Sequence, residues 1–298
     1  MLDTAHALKG GEGGRPTAPT ALGRRGLLAG KVLALVFEKP SLRTRVSFDV
    51  GMRQLGGECL YLSPREVGLG SREPVEDVAR VLSRYVDGIA ARTFEHRTVE
   101  ELARWANVPV INALSDGEHP CQALADVLTV EEKKGRLARV ALAFIGDGNN
   151  VARSLCLAAA MSGMEFRFAS PAGYELPAET VARAEEFARA SGGSVACLRD
   201  PKEAARSADV VYTDVWASMG QEGEGSARRE AFQEYQVDAL MMSLAAADAV
   251  FMHDLPAHRG DEVSAEVIEG PQSVVFDQAE NRMHAQKAAL ALLLGENE

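Results

Sequence analysis

Cysteine is scarce in this 298-residue chain: Cys59, Cys121, Cys156 and Cys197 are the four it has. They are widely spaced, with no Cys-x-x-Cys pair and no zinc-ligand spacing. That argues against a disulfide framework or a structural zinc site and fits a reducing cytoplasm. Long apolar runs are missing too, none reaching the ~18 residues needed to cross a bilayer. A basic excess is absent: 32 Lys and Arg face 43 Asp and Glu, for a net charge of −11. Nucleic acid or an anionic membrane is therefore not expected to bind through bulk charge, and a small anionic substrate requires a local basic pocket. Arg24-Arg25-Gly26-Leu27-Leu28-Ala29-Gly30 imitates a twin-arginine export signal. Lys31 breaks its apolar stretch and no small-residue cleavage site follows, so the chain is expected to stay in the cytoplasm.

What is present is the composition of a soluble globular protein, 46% hydrophobic and 25% charged. At ~150 residues per domain the length suggests two domains. After a short helix, Leu2 to Lys9, and a loose Gly- and Pro-rich stretch, a regular alternation begins. Strand-like runs are Val32–Phe37, Cys59–Leu62, Gly88–Ala91 and Val108–Ala113. Between them, Val75, Val78, Ala79, Leu82 and Val86 recur at helical spacing, and Thr98-Val99-Glu100-Glu101 has the form of a capping box opening a helix. His119 to Glu132 reads as a longer helix. A second set follows: strands at 140–145, 165–169, 195–198, 210–213, 250–253 and 273–276, helices at 151–161 and 178–190, and a terminal helix from Glu280 to Leu294. This order predicts an α/β protein of two doubly wound parallel-sheet domains. The expected division is 1–130 together with a returning C-terminal helix, 279–298, and 131–278. Ligands of such sheets bind beyond the carboxyl ends of strands, here after Phe37, Ala91, Ala113, Ile145, Thr213 and His253.

Six motifs fall there. In Phe37-Glu38-Lys39-Pro40-Ser41-Leu42-Arg43-Thr44-Arg45, Pro40 presets a helix start, whose free N–H groups and guanidiniums suit a phosphate; a capped helix with a solvated basic turn is the plain alternative. His119 and Gln122, in His119-Pro120-Cys121-Gln122, can face one carbonyl and amide ligand from a first helical turn, although a histidine there also serves as a cap. Gly146-Asp147-Gly148-Asn149-Asn150 imitates a dinucleotide turn, but Val151 replaces its third glycine and the next strand ends without a ribose-binding acid. Asn150 is then a polar ligand. Asp214, followed by Ser218, Met219 and Gly220, suits an amino acid's charged ends, or is an ordinary turn. His253 and His258 are separated by Pro256, with no third metal ligand in view. Arg282, near the start of the terminal helix, opposes the helix dipole, which hints at a bound anion or a surface ion pair.

With these motifs in this order, the chain from about Lys31 to Leu294 resembles the aspartate/ornithine carbamoyltransferase family, on its ornithine side. The resemblance implies two α/β domains, carbamoyl phosphate on the first and the amino acid on the second. It implies trimers, or assemblies of trimers, with active sites at subunit interfaces. Carried over by motif, Ser41, Leu42, Arg43, Thr44, Arg92, His119, Pro120, Cys121, Gln122, Asp254, Leu255 and Arg282 correspond to the carbamoyl-phosphate ligands. Asn150, Asp214, Ser218 and Met219 correspond to the ornithine site. Arg43, Arg92, His119, Asp214, Asp254 and Arg282 are the expected catalytic set. The implied reaction moves a carbamoyl group to the δ-amine of L-ornithine, giving citrulline and phosphate, with no metal, cofactor, nucleic acid or membrane. Another amine acceptor, or a non-catalytic carbamoyl-phosphate-binding relative, is the alternative. Three features depart from the family pattern. Asp254 stands for the Cys of His-Cys-Leu-Pro. Gly68 takes the place of a Gln from the neighbouring subunit, leaving Arg72 to reach the partner site. The N-terminus is also shorter, Leu2 to Lys9 matching the later part of the family's first helix.

Overall fold

Buried apolar runs alternating with helices build two separate parallel sheets. The computed structural model describes residues 1–10, 26–70, 72–217, 223 and 225–295. It divides into two units, Met1–Ala125 with Glu280–Glu298, and Asp126–Ala279.

In the first unit, β1 (Val32–Phe37), β2 (Glu58–Leu62), β3 (Gly88–Arg92) and β4 (Val110–Leu114) lie in the order β2-β1-β3-β4 and pair in parallel. The central strands β1 and β3 are almost wholly buried, whereas the edge strand β2 is not. That is why β1 reads as a continuous apolar run while β2 mixes polar and apolar residues. Leu33, Leu35 and Phe37 pack with Phe48 and Met52 of helix Leu42–Gln54 and with Leu290 and Leu294 of the terminal helix.

In the second unit, β5 (Ala141–Ile145), β6 (Glu165–Ala169), β7 (Ser194–Leu198), β8 (Val210–Tyr212) and β9 (Val250–Met252) lie in the order β7-β6-β5-β8-β9, again all parallel. Phe144 stacks on Tyr212 at 5.2 Å and sits 5.8 Å from Phe168, filling one face of the sheet. In each sheet the order of strands reverses once, between β1 and β3 and between β5 and β8. In open parallel sheets, ligands bind beyond the carboxyl ends of the strands at such reversals.

Three local expectations change. Ser273–Phe276 is not a strand: Ser273 makes an isolated bridge to Phe251, and Val275 opens a 20-residue helix, Val275–Leu294. A short apolar run has no period with which to tell a strand from a buried helical turn. The helix expected to open at Thr98 begins at His96, with Glu95 as N-cap, so the apparent capping box lies inside its first turn. Pro40 precedes helix Leu42–Gln54 by two residues, and Ser41 caps it. Both divisions between units fall within continuous helices, Pro120–Lys134 and Val275–Leu294. All four thiols are free, and among the described residues no helix is long and apolar enough to cross a membrane.

Candidate active site

In the first unit the site is built at the β1/β3 reversal. Register pairs Phe37 with Arg92, and the Glu38 N–H donates to the Arg92 carbonyl at 2.8 Å. This places the end of β3 beside the turn that follows β1. Ser41, extended at φ −157°, caps the next helix by accepting the Thr44 N–H at 3.3 Å, and its hydroxyl donates to Thr44 Oγ1 at 2.9 Å. A serine N-cap leaves the other first-turn N–H groups available to an anion. The Leu42 side chain is 76% exposed, so this position has its backbone N–H to offer rather than a side chain.

Arg282 joins these parts. Its Nη1 donates to Gln122 Oε1 at 3.0 Å, and its Nη2 donates to Thr44 Oγ1 at 2.7 Å and to His119 Nε2 at 3.1 Å. Thr44, His119, Gln122 and Arg282 are all buried. Arg282 lies two turns inside its helix, not in the first turn, so opposition to the helix dipole is not what marks it. A guanidinium only donates, so His119 Nε2 accepts and the ring proton is assigned to Nδ1. Burial, reinforced by the charges of Arg282, Arg92, Lys39 and Arg43, holds His119 well below the usual histidine range and keeps it neutral. Cys121 turns its thiol to the Asn112 carbonyl at 3.5 Å, and burial pushes that thiol up to about 11. Pro120 is the first residue of helix Pro120–Lys134. The unit thus gathers Arg92, Arg282 and half-buried Arg43 around an uncharged histidine.

In the second unit the corresponding reversal carries the acidic set. Asp214 follows β8 and is buried. Its Oδ2 accepts Asn149 Nδ2–H at 2.7 Å and its Oδ1 accepts the Val215 N–H at 2.7 Å. Asn149 Oδ1 accepts the Val151 and Ala152 N–H groups, capping helix Asn150–Met161. Asn150 itself begins that helix. The glycines of this turn serve packing: a Cβ on Gly148 would lie 2.3 Å from the Glu175 carbonyl oxygen. Asp147 pairs with Arg228 Nη1 at 2.7 Å, and Arg228 also donates to the Trp216 carbonyl. Burial pushes the Asp147 carboxyl up, against the pull of Arg228. Ser218 and Met219 lie outside the described residues.

Asp254 and Leu255 follow β9 in a turn with Leu255 at φ 58° and a cis Leu255–Pro256 bond. Asp214, His253 and Asp254 each present an atom within 4.8 Å of the others, a grouping that a metal ion can use. The ring of His253 does not bring a lone pair to it, because Nδ1 accepts the Leu255 N–H at 2.9 Å and Nε2 faces Glu262 Oε1 at 3.2 Å. What remains are two carboxylates, acceptors that suit the N–H groups of an ammonium. Beneath them Gln278 accepts the His253 N–H and donates to Asp126 and to Tyr212 Oη, a buried network under the turn.

Three residues escaped the sequence reading. Lys39 is buried, its amine lowered by burial and then by Arg92, and its charge acts on His119; its place directly after β1 was the available signal. Asn149, one residue from the expected Asn150, is the amide that holds Asp214. Glu262 sits in an ordinary acidic stretch, and nothing local distinguishes it. Gly68 ends the short helix Pro64–Val67 at φ 54°, and Arg72 donates to the Glu66 carbonyl and pairs with Glu73.

Residues 1–132 match the carbamoyl-P binding domain model of aspartate/ornithine carbamoyltransferase, and residues 138–293 match its Asp/Orn binding domain model. The ornithine carbamoyltransferase of Acidothermus cellulolyticus is 57% identical over 270 residues, 91% of this chain and 86% of that protein. That of Gloeobacter violaceus is 54% identical over 295 residues, 99% and 91% of the two chains. The solved ornithine carbamoyltransferase from Pyrococcus furiosus superposes with a TM-score of 0.90 at 53% identity, covering 93% of this chain and 89% of its own. With both domain models matched and this identity held over nearly its whole length, the chain belongs to the aspartate/ornithine carbamoyltransferase family.

Proposed function

We propose that the protein transfers the carbamoyl group of carbamoyl phosphate to the δ-amine of L-ornithine, yielding L-citrulline and phosphate. The observation that carries this reading is the segregation of charge between the two strand-order reversals. The first unit collects Arg92, Arg282 and Lys39 with a neutral His119; the second collects Asp214 and Asp254 within 4.8 Å of each other. Carbamoyl phosphate is an anion and ornithine carries an ammonium group, so each unit complements one substrate.

In this reading phosphate lies on the Ser41–Thr44 helix start, with Leu42 giving its N–H and Arg43 its guanidinium. Arg92, His119, Gln122 and Arg282 hold the carbamoyl group, and the Asp254-Leu255 turn completes its surroundings. Asn150, Asp214, Ser218 and Met219 bind ornithine, with Asn149 fixing Asp214. The neutral δ-nitrogen attacks the carbamoyl carbon and an oxyanion forms. Donors fixed in a buried site stabilise that charge more than the starting carbonyl. The carbon–oxygen bond to phosphate then breaks as the nitrogen sheds a proton. Holding two reactants together accounts for much of the rate, and the chemistry needs no covalent intermediate on the protein. Trimeric assembly and a cytoplasmic setting complete the proposal, the four free thiols being in keeping with the latter. A colorimetric assay for citrulline from ornithine and carbamoyl phosphate tests it, with putrescine and N-acetylornithine as parallel acceptors. Citrulline formed selectively from ornithine is expected; folded protein that makes none overturns the reading.

Asp254 gives this reading its own pH signature. A thiol titrates near ~8.5 and a carboxylate near ~3.9, so through the neutral range Asp254 adds a negative charge that a cysteine there lacks. A negative neighbour favours the ammonium form and raises the bound amine's pKa, so a smaller fraction is neutral at any given pH. The acid limb of kcat, measured at saturating ornithine, is therefore expected at lower pH in Asp254→Cys than in the native enzyme. A displacement of about one pH unit is expected. Superimposable kcat–pH profiles would sink the idea.

A further inference from the structure

We propose that Glu262 is a positioning residue for ornithine: it selects the tautomer of His253 that holds the turn carrying Asp254. The inference rests on the reading of Asp214 and Asp254 as the ligands of the substrate's ammonium group.

Glu262 is 1% exposed and His253 is fully buried. Glu262 Oε1 lies 3.2 Å from His253 Nε2 and accepts the His258 N–H at 2.5 Å. At the far side of the ring, the Leu255 N–H lies 2.9 Å from Nδ1. An amide N–H can only donate, so Nδ1 carries the lone pair and Nε2 carries the proton, which meets the carboxylate. The opposite tautomer sets N–H against N–H at Leu255 and a lone pair against Glu262. A doubly protonated ring keeps the Glu262 contact and faces Asp254 Oδ1 at 3.5 Å, but sets its Nδ1–H against the Leu255 N–H at 2.9 Å. One state of the ring therefore satisfies both ends, and Glu262 is what favours it.

The consequence falls on Asp254. Leu255 sits at φ 58°, a conformation that non-glycine residues keep where their surroundings fix it. Its N–H is fixed by His253 Nδ1, and the His253 N–H is fixed by Gln278 Oε1 at 2.9 Å. Asp254 lies between these two anchors, its Oδ1 3.5 Å from Nδ1. The groups facing the ring and its partners are thus Asp254, Asp214, Glu262 and, 3.7 Å from Glu262, the ring of His258. Release of the Leu255 N–H frees the turn and lets the Asp254 carboxylate drift from Asp214. Glu262 touches no substrate in this account; it acts through His253.

The test combines a spectroscopic and a kinetic readout. In protein labelled with ¹⁵N at its six histidines, the resonances lost in His253→Gln identify the His253 ring, which is expected protonated at Nε2 and bare at Nδ1. Glu262→Gln retains an acceptor for Nε2–H and should keep this tautomer, with kcat/KM for ornithine within about threefold of native. Glu262→Met removes the acceptor. It should populate the other ring state and lower kcat/KM for ornithine on the order of 10²-fold, as a misplaced reacting group does, while the KM for carbamoyl phosphate holds. Native His253 protonated at Nδ1, native-like ornithine kinetics in Glu262→Met, or equal losses in the Gln and Met variants would each overturn the proposal. If Glu262→Met does not fold, the native tautomer and Glu262→Gln still decide. Native protein that forms no citrulline refutes the functional reading instead, and the tautomer measurement stands apart from it.

Discussion

Arg282→Met is expected to lower kcat/KM for carbamoyl phosphate by on the order of 10²–10³-fold, the loss seen when one preorganised donor to a developing oxyanion is removed. The guanidinium does more than carry charge. It donates at once to Gln122, Thr44 and His119, and all three are buried. Its loss leaves three side chains without the group that sets their directions, and it removes a cation from the site. His119 is then relieved of the nearest charge opposing its protonation, though burial, the larger cause, remains. Arg282→Lys should recover little, because an ammonium on a flexible stem cannot span three partners as a planar fork does. Steady-state kinetics in carbamoyl phosphate, with thermal unfolding to confirm the fold, measure this. A folded Arg282→Met enzyme within fivefold of native would show that the hub is structural. The KM for ornithine should move far less than that for carbamoyl phosphate.

In the sequence Arg282 stands out by its conflict with the dipole of a helix opening at Glu280. The helix opens at Val275, and Arg282 matters because it reaches residues 44, 119 and 122. Such contacts leave no trace in spacing. The strands were legible because central strands are buried on both faces, as in Val32–Phe37 and Ala141–Ile145. Ser273–Phe276 was not, since its three apolar residues show no period. Motifs at strand ends were legible because parallel sheets bring those ends together, which is how Arg92 comes beside the turn after β1. Lys39 and Asn149 lie inside those motifs, but burial and the contact with Asp214 give them their meaning, and neither shows in residue type or spacing. Glu262 lay outside them, and its meaning comes from a histidine nine residues earlier that folds back onto it. The divisions between units run through continuous helices, where composition does not change.

The second large effect is expected at Asp214. Its carboxylate accepts from two fixed donors, Asn149 Nδ2–H and the Val215 N–H, both at 2.7 Å. Asn149 cannot turn to suit a substitute, because its Oδ1 already accepts the Val151 and Ala152 N–H groups at the helix start. In Asp214→Asn one of the two oxygens becomes an NH₂, which must face one of these donors whichever way the amide is flipped. The variant therefore loses the charge proposed to meet the ammonium group and gains a donor-on-donor conflict in a buried site. Truncating one side of a buried, hydrogen-bonded charge pair costs about 2–5 kcal/mol. At 1.4 kcal/mol per decade, that is roughly 30- to several-thousand-fold in affinity. The loss should appear chiefly as a raised KM for ornithine, since the ammonium is recognised in the ground state as well as the transition state. The KM for carbamoyl phosphate should stay near native, because its proposed ligands, apart from the Asp254-Leu255 turn, belong to the first unit. Asp214→Glu keeps the charge but extends the side chain past the Asn149 contact, and it should fall between Asp214→Asn and the native enzyme. An Asp214→Asn enzyme with native ornithine kinetics would remove Asp214 from the binding site and leave Asp254 as the sole carboxylate for the amine.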